Sequence, residues 1–108
     1  MKAVIRKSEA PEPYSFAFVT TEGDTLVRSE NYSAKKGAAN GVASVKKNCV
    51  EDKRYELKAS RDGRFYFNLK AANGQIVATS PMFASDRERS NAIALMKNNA
   101  FDATEVDE

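Results

Sequence analysis

The groups available for acid–base or nucleophilic work near neutral pH are carboxylates and a single thiol, because this 108-residue chain contains no histidine. That removes the usual general base and the commonest metal ligand, and excludes Ser-His-Asp, Cys-His and His-containing zinc arrangements. Cys49 has no CxxC neighbour and no set of four ligands around it. It lies just after a predicted helix, at the end that does not stabilise a thiolate, so it reads as a partly buried structural residue. The carboxylates Asp24, Glu51, Asp52, Glu56, Asp62, Asp86, Glu88, Asp102, Glu105, Asp107 and Glu108 form no pair placed by a catalytic motif, and read as solvated turns and caps. The five glycines make neither a GxGxxG nor a P-loop pattern. No catalytic, cofactor-binding or metal-ligating residue is assigned, and the chain is expected not to be an enzyme.

Binding chemistry is the other option, and it centres on Arg64-Phe65-Tyr66-Phe67-Asn68-Leu69-Lys70. Basic and aromatic residues interleaved on a strand resemble the stacking platform of RNA-binding sheets. However, Phe65, Phe67 and Leu69 share one face and Tyr66, Asn68 and Lys70 the other, the alternation of a half-buried strand. The aromatic face reads as core under a helix. Tyr66, Asn68 and Lys70 are left as candidates for contact with a partner. Lys35, Lys36, Lys46, Lys47, Lys53, Arg54, Lys58 and Arg61 bias the middle of the chain toward basic, partly offset by Glu51, Asp52, Glu56 and Asp62. Their default reading is a solvated surface. Convergence in space would give weak, salt-sensitive, sequence-independent nucleic-acid binding.

The elements that must carry these residues are written twice, 51 positions apart. Tyr14–Cys49 against Phe65–Ala100 gives seven identities in 36 gapless positions, among them Phe16/Phe67, Gly23/Gly74, Ser29/Ser80 and Asn48/Asn99. Average residue usage would give about two. Each copy begins with an alternating strand, then Glu22-Gly23 or Asn73-Gly74, then Thr25-Leu26-Val27 or Ile76-Val77. Asn-Gly in this setting predicts a tight type I′ hairpin. The period then changes to about 3.6, with Ala34, Ala38, Val42 and Val45 on one helical stripe and Ile93, Met96 and Ala100 on its counterpart. Ser33 or its neighbour is expected to start the first helix. Ser85-Asp86-Arg87-Glu88 has capping-box spacing for the second. Lys46, Lys47 and Lys97 fall in the last turns, and Asn48 and Asn99 are expected to terminate the helices in the left-handed conformation. Upstream, the same offset pairs Val4 with Tyr55 and Lys7 with Lys58 in leading strands. It also makes Thr104-Glu105-Val106 a candidate last strand.

A length of 108 residues suits one domain, and half of it would bury little surface, so residues 1–108 are read as one domain of two repeats, about 2–51 and 53–102, with a tail. Hydrophobic residues at 42% against 30% charged are ordinary for a globular chain, and the net charge of +2 lacks the asymmetry of a dedicated nucleic-acid binder. One cysteine allows no internal disulfide, and the first residues show no signal-peptide pattern. A cytoplasmic protein that does not enter the membrane is expected.

The run from Phe65 to Gly74 followed by Ser80-x-x-Phe83, with Gly41-Val42-Ala43-Ser44-Val45-Lys46-Lys47-Asn48 in the other copy, resembles the YegP-like family of small bacterial proteins. The resemblance covers about positions 2 to 100. It implies an α+β fold of two tandem β3-α(-β) repeats sharing one antiparallel sheet, with two helices packed on it and the C-terminal strands exchanged. It implies no biochemical activity. Family members with one repeat are thought to pair, which makes this chain a monomer imitating such a dimer. The combined expectation is a non-enzymatic binding or interaction module for an unidentified protein partner, with nucleic acid as the alternative.

Overall fold

Three strands open each half, each built from the alternating runs described above. A computed structural model of residues 1–108 shows β1 (Lys2–Lys7), β2 (Tyr14–Val19) and β3 (Thr25–Arg28) followed by α1 (Lys35–Asn48). The second half repeats this with β4 (Tyr55–Ala59), β5 (Phe65–Lys70), β6 (Ile76–Thr79) and α2 (Asp86–Asn99), and the chain closes with β7 (Thr104–Asp107). All seven strands form one sheet in the order β4-β5-β6-β3-β2-β1-β7. The halves meet at β3 and β6, joined by the single pair Arg28↔Thr79. Neighbours are antiparallel except for β1 and β7, which pair in parallel with Val4 opposite Val106. The expected antiparallel sheet thus holds for five of the six neighbouring pairs; β7 reaches β1 from a helix rather than a hairpin, so no turn imposes the antiparallel sense there.

The hairpin turns also differ from the type I′ expectation. Gly74 donates its N–H to the Ala71 carbonyl at 3.0 Å and has φ 85°, while no non-glycine residue has positive φ. A type I′ turn would need positive φ at Asn73 as well. The loop is instead a turn followed by one left-handed glycine, with a register shift at Leu69/Lys70, and Gly23 (φ 92°) repeats it in the first copy. Past each hairpin, Ser29 and Ser80 stand in for a rung of the ladder. Their hydroxyls accept from the Phe16 and Phe67 N–H groups, both at 2.9 Å, which accounts for serine in both copies.

The helices start differently. Ser85 accepts from the Glu88 N–H while the Glu88 carboxylate accepts from the Ser85 N–H, the full capping box. Ala34 occupies the same place before α1 and offers no side-chain cap, so Ser33 falls one residue too early. Neither helix ends on a left-handed asparagine. Both run into short 3₁₀ turns, and the Asn48 side chain instead donates to the Ser44 carbonyl (2.8 Å) and accepts from Arg54 Nε (3.0 Å).

One cluster of 17 buried residues draws on both halves, with Ala3, Ile5, Phe16 and Phe18 from the first and Phe67, Leu69 and Ala78 from the second, closed by Ala38, Val42, Val45, Ala92 and Met96 of the helices. Helix α1 packs on β1 and β2 and also on β5 and β6, tying the repeats together where the ladder does not. Cys49 is fully buried in this cluster and burial pushes its thiol up, as fits a structural residue. Gly41 is required by space: a Cβ there would stand 2.6 Å from the Phe16 ring and 2.7 Å from the Tyr32 hydroxyl. The second copy has Ala92 and Phe83 at the positions of Gly41 and Tyr32.

The 51-residue offset fails for the leading strands. Ala3 lies opposite Phe18, whereas Tyr55 lies opposite Leu69, the counterpart of Phe18. The equivalents are therefore Ala3 with Tyr55, Ile5 with Leu57 and Lys7 with Ala59, not Val4 with Tyr55 and Lys7 with Lys58. The cause is the β1–β2 loop, residues 8–13, which is one residue longer than the β4–β5 loop, residues 60–64. A slip of one residue exchanges the faces of a strand. Tyr55 and Leu57 consequently take the helix side of the sheet, and Glu56 the far side.

Candidate binding surface: the polar sheet face and an unpaired edge

On the side of the sheet away from the helices, the second repeat presents a polar network. Asn68 is only 6% exposed, and its amide donates to Glu56 Oε1 (3.0 Å) while its carbonyl oxygen accepts from the Thr79 hydroxyl (2.8 Å). Lys70 donates to Glu56 Oε2 at 2.8 Å. The hydrogen bond from Lys70, then that from Asn68, hold the Glu56 carboxyl below the usual carboxylate range. Of the residues singled out in the sequence, Asn68 and Lys70 thus meet on a shared carboxylate, and half-buried Tyr66 lies alongside, opposite Lys58. The sequence reading missed Glu56, taken there for a solvated carboxylate. Its place two rungs along the face could have been found only with the one-residue slip in hand.

The basic residues do not gather. Lys35 is paired with Asp107, and Lys53 and Arg54 both with Glu51, while Lys36, Lys46 and Lys47 lie on α1, Lys58 on β4 and Arg61 in a turn.

The second feature is the outer edge of β4. Ser60 N–H donates to the Arg64 carbonyl and Ser80 N–H to the Phe67 carbonyl, which fixes the alternation: Glu56 and Lys58 turn their backbone groups toward β5, and Tyr55, Leu57 and Ala59 turn theirs outward. The Tyr55 N–H is used by the Asp52 carbonyl. No strand lies beyond β4 to take the rest. Beside this edge runs a groove of about 260 Å³ between β4 and α2, lined by Asp52, Tyr55, Leu57, Ser90 and Ile93. Leu57 is 58% exposed. Tyr55 is anchored, its ring edge-on to Phe67 and its hydroxyl donating to the Cys49 carbonyl at 2.6 Å; burial pushes its phenol up. At the far end, Arg89 lies over the Phe65 ring and donates to the Lys58 carbonyl at 2.8 Å.

The equivalent edge on β1 is covered. Thr104 N–H donates to the Met1 carbonyl (3.1 Å) and Glu108 N–H to the Ile5 carbonyl (2.9 Å), and ion pairs Arg6–Glu108 and Lys35–Asp107 hold the strand.

This duplicated architecture is matched by a family model described as a domain of unknown function (DUF1508), once over residues 12–56 and again over residues 60–107. The chain belongs to this family. Its DUF1508 relatives include a UPF0339 protein in the ptx operon 5′ region of Stutzerimonas stutzeri, 46% identical over 87% of this chain and 85% of that protein. The UPF0339 protein YegP of Escherichia coli strain K12 is 42% identical over 87% of this chain and 86% of its own. The solution NMR structure of the Escherichia coli protein, described as of unknown function, superposes with a TM-score of 0.91 at 38% identity, covering 99% of this chain and 91% of that one. A UPF0339 protein from Shewanella oneidensis superposes equally well, at 35% identity over 98% and 89%. The DUF1508 fold is thus shared by two solved bacterial proteins. No helix of this chain is long and apolar enough to cross a membrane.

Proposed function

We propose that the protein is a non-enzymatic binding module, a monomer built like a dimer, that takes an extended segment of a partner protein along the outer edge of β4. The observation that carries this reading is the inequality of the two edges: the position filled by β7 on β1 is bare on β4, with outward backbone groups at Leu57 and Ala59 beside an apolar groove. Main-chain groups of that kind accept an added strand. Glu56, held by Asn68 and Lys70, lies on the edge strand itself, and Tyr66 lies one strand further in, on β5. The absence of histidine and the raised pKa of the only thiol support a role in binding rather than catalysis. Nucleic-acid binding is less well supported, because the basic residues are spread over four elements and several are already paired.

The test is affinity capture from a bacterial lysate with the wild type and with Leu57→Pro. This substitution deletes an outward N–H and leaves the β4–β5 ladder intact. The captured partner should be lost from the variant and should slow hydrogen exchange at the Leu57 and Ala59 amides of the wild type. Capture that survives Leu57→Pro but fails with Tyr66→Ala would move the site to the open face and overturn the edge reading.

A further inference from the structure

The two outer edges are the same structural position in the two repeats, so the occupied one is a template for the bare one. On β1, β7 runs parallel with Glu105 and Asp107 opposite Ala3 and Ile5, on the helix side, and Val106 opposite Val4 on the far side. Asp107 is bonded to Lys35, the first residue of α1. On β4 the places of Ala3 and Ile5 are taken by Tyr55 and Leu57, and the first residue of α2, 51 positions after Lys35, is Asp86. Of the two cations that anchor the acidic tail on β1, Lys35 is therefore replaced by a carboxylate on the other edge, while Arg6 keeps a basic counterpart in Lys58. Where Glu105 sits on β1, the β4 side offers an apolar wall of Tyr55 and Ile93. Of the other cations nearby, Lys97 is paired with Asp52 at the near end of the groove and Arg89 lies on Phe65.

We infer that the β4 edge takes an extended segment running parallel to β4, with an apolar side chain over Tyr55 and Ile93 and, two residues further on, a lysine or arginine beside Asp86, and that it disfavours a carboxylate at that second place, where the protein's own tail carries Asp107. The inference rests on the edge reading above and adds the chemistry of the ligand. The same charge reversal guards against self-association, because Asp107 in the tail of one copy would meet Asp86 at the free edge of another.

Two peptides test it on the full chain, labelled with ¹⁵N and titrated to millimolar peptide. One copies residues 103–108 and the other carries Asp107→Lys. The altered peptide should shift the Leu57 and Ala59 amides and bind about fivefold more tightly than the natural tail, the size expected when one exposed like-charge pair becomes an opposite pair. Asp86→Lys should reverse the preference and Asp86→Asn should abolish it, the second variant keeping a polar, uncharged helix start. Equal binding of both peptides at β4, or a preference unmoved by either Asp86 variant, would end the charge inference and leave the edge reading standing. No response at Leu57 and Ala59 to either peptide would overturn both.

Discussion

On the face away from the helices, the first repeat carries Val4, Ala17 and Val19 as a small buried apolar cluster, whereas the second has Glu56, Asn68 and Lys70 at the same positions, tied by hydrogen bonds. The first repeat also has its outer strand covered by β7 and its helix pressed close through Gly41, while the second leaves β4 bare and keeps Ala92. Duplication thus preserved the turns, the ladder serines and the aromatic core, and let the surfaces diverge. Of the two equivalent edges, β7 closes the one on β1 and the one on β4 stays open.

The comparison breaks most severely in the shared core. Phe16→Ala and Phe67→Ala should each cost about 3–5 kcal/mol, because both rings are fully buried in one cluster. In urea each variant should still unfold in one transition. Two transitions, one per repeat, would show that the halves do not share a core. Next in size, Gly41→Ala should destabilise by about 1–3 kcal/mol through overpacking against Phe16 and Tyr32. Adding Tyr32→Phe, which recreates the Ala92/Phe83 combination, should recover part of that loss. The reverse change, Ala92→Gly, should cost only about 1 kcal/mol of helix propensity. If Gly41→Ala is neutral by thermal denaturation, close approach is not what distinguishes the helices.

The caps allow a finer comparison. Ser85→Ala should lower stability by about 1 kcal/mol, and Ala34→Ser should raise it by a similar amount by giving α1 the acceptor it lacks. Urea midpoints for the pair would measure this. The smallest effect concerns the polar face. Because the folded-state pKa of Glu56 lies below its ordinary value of 4.5, its contribution to stability is present above that pH and lost as pH falls through the folded value. The stability gap between wild type and Glu56→Gln should therefore narrow on acidification. A gap that stays constant across that range would mean the carboxylate is not held by Lys70 and Asn68.

Much of the scaffold was legible in the sequence because it depends on local signals: the period change from strand to helix, the Ser85–Glu88 box, and the alternation that buried Phe67 and Leu69. The turn type was not, since Asn-Gly is compatible with a loop that places only the glycine in the left-handed region. The sense of β7 and the slip of β4 depend on pairing between residues far apart in the chain, and a single residue in the β1–β2 loop changed which side Tyr55 and Glu56 occupy. For the same reason Tyr66, Asn68 and Lys70 could be placed on one face without their partner Glu56. The bare edge could be read only by counting strands against edges after the register was known.

Arg28 and Thr79 stand opposite each other at the seam and are 51 positions apart, so the molecule's internal dyad passes between them. A change at that point is felt by both copies at once, whereas a change at a helix cap such as Ala34 or Ser85 addresses one copy and leaves its twin as a built-in control.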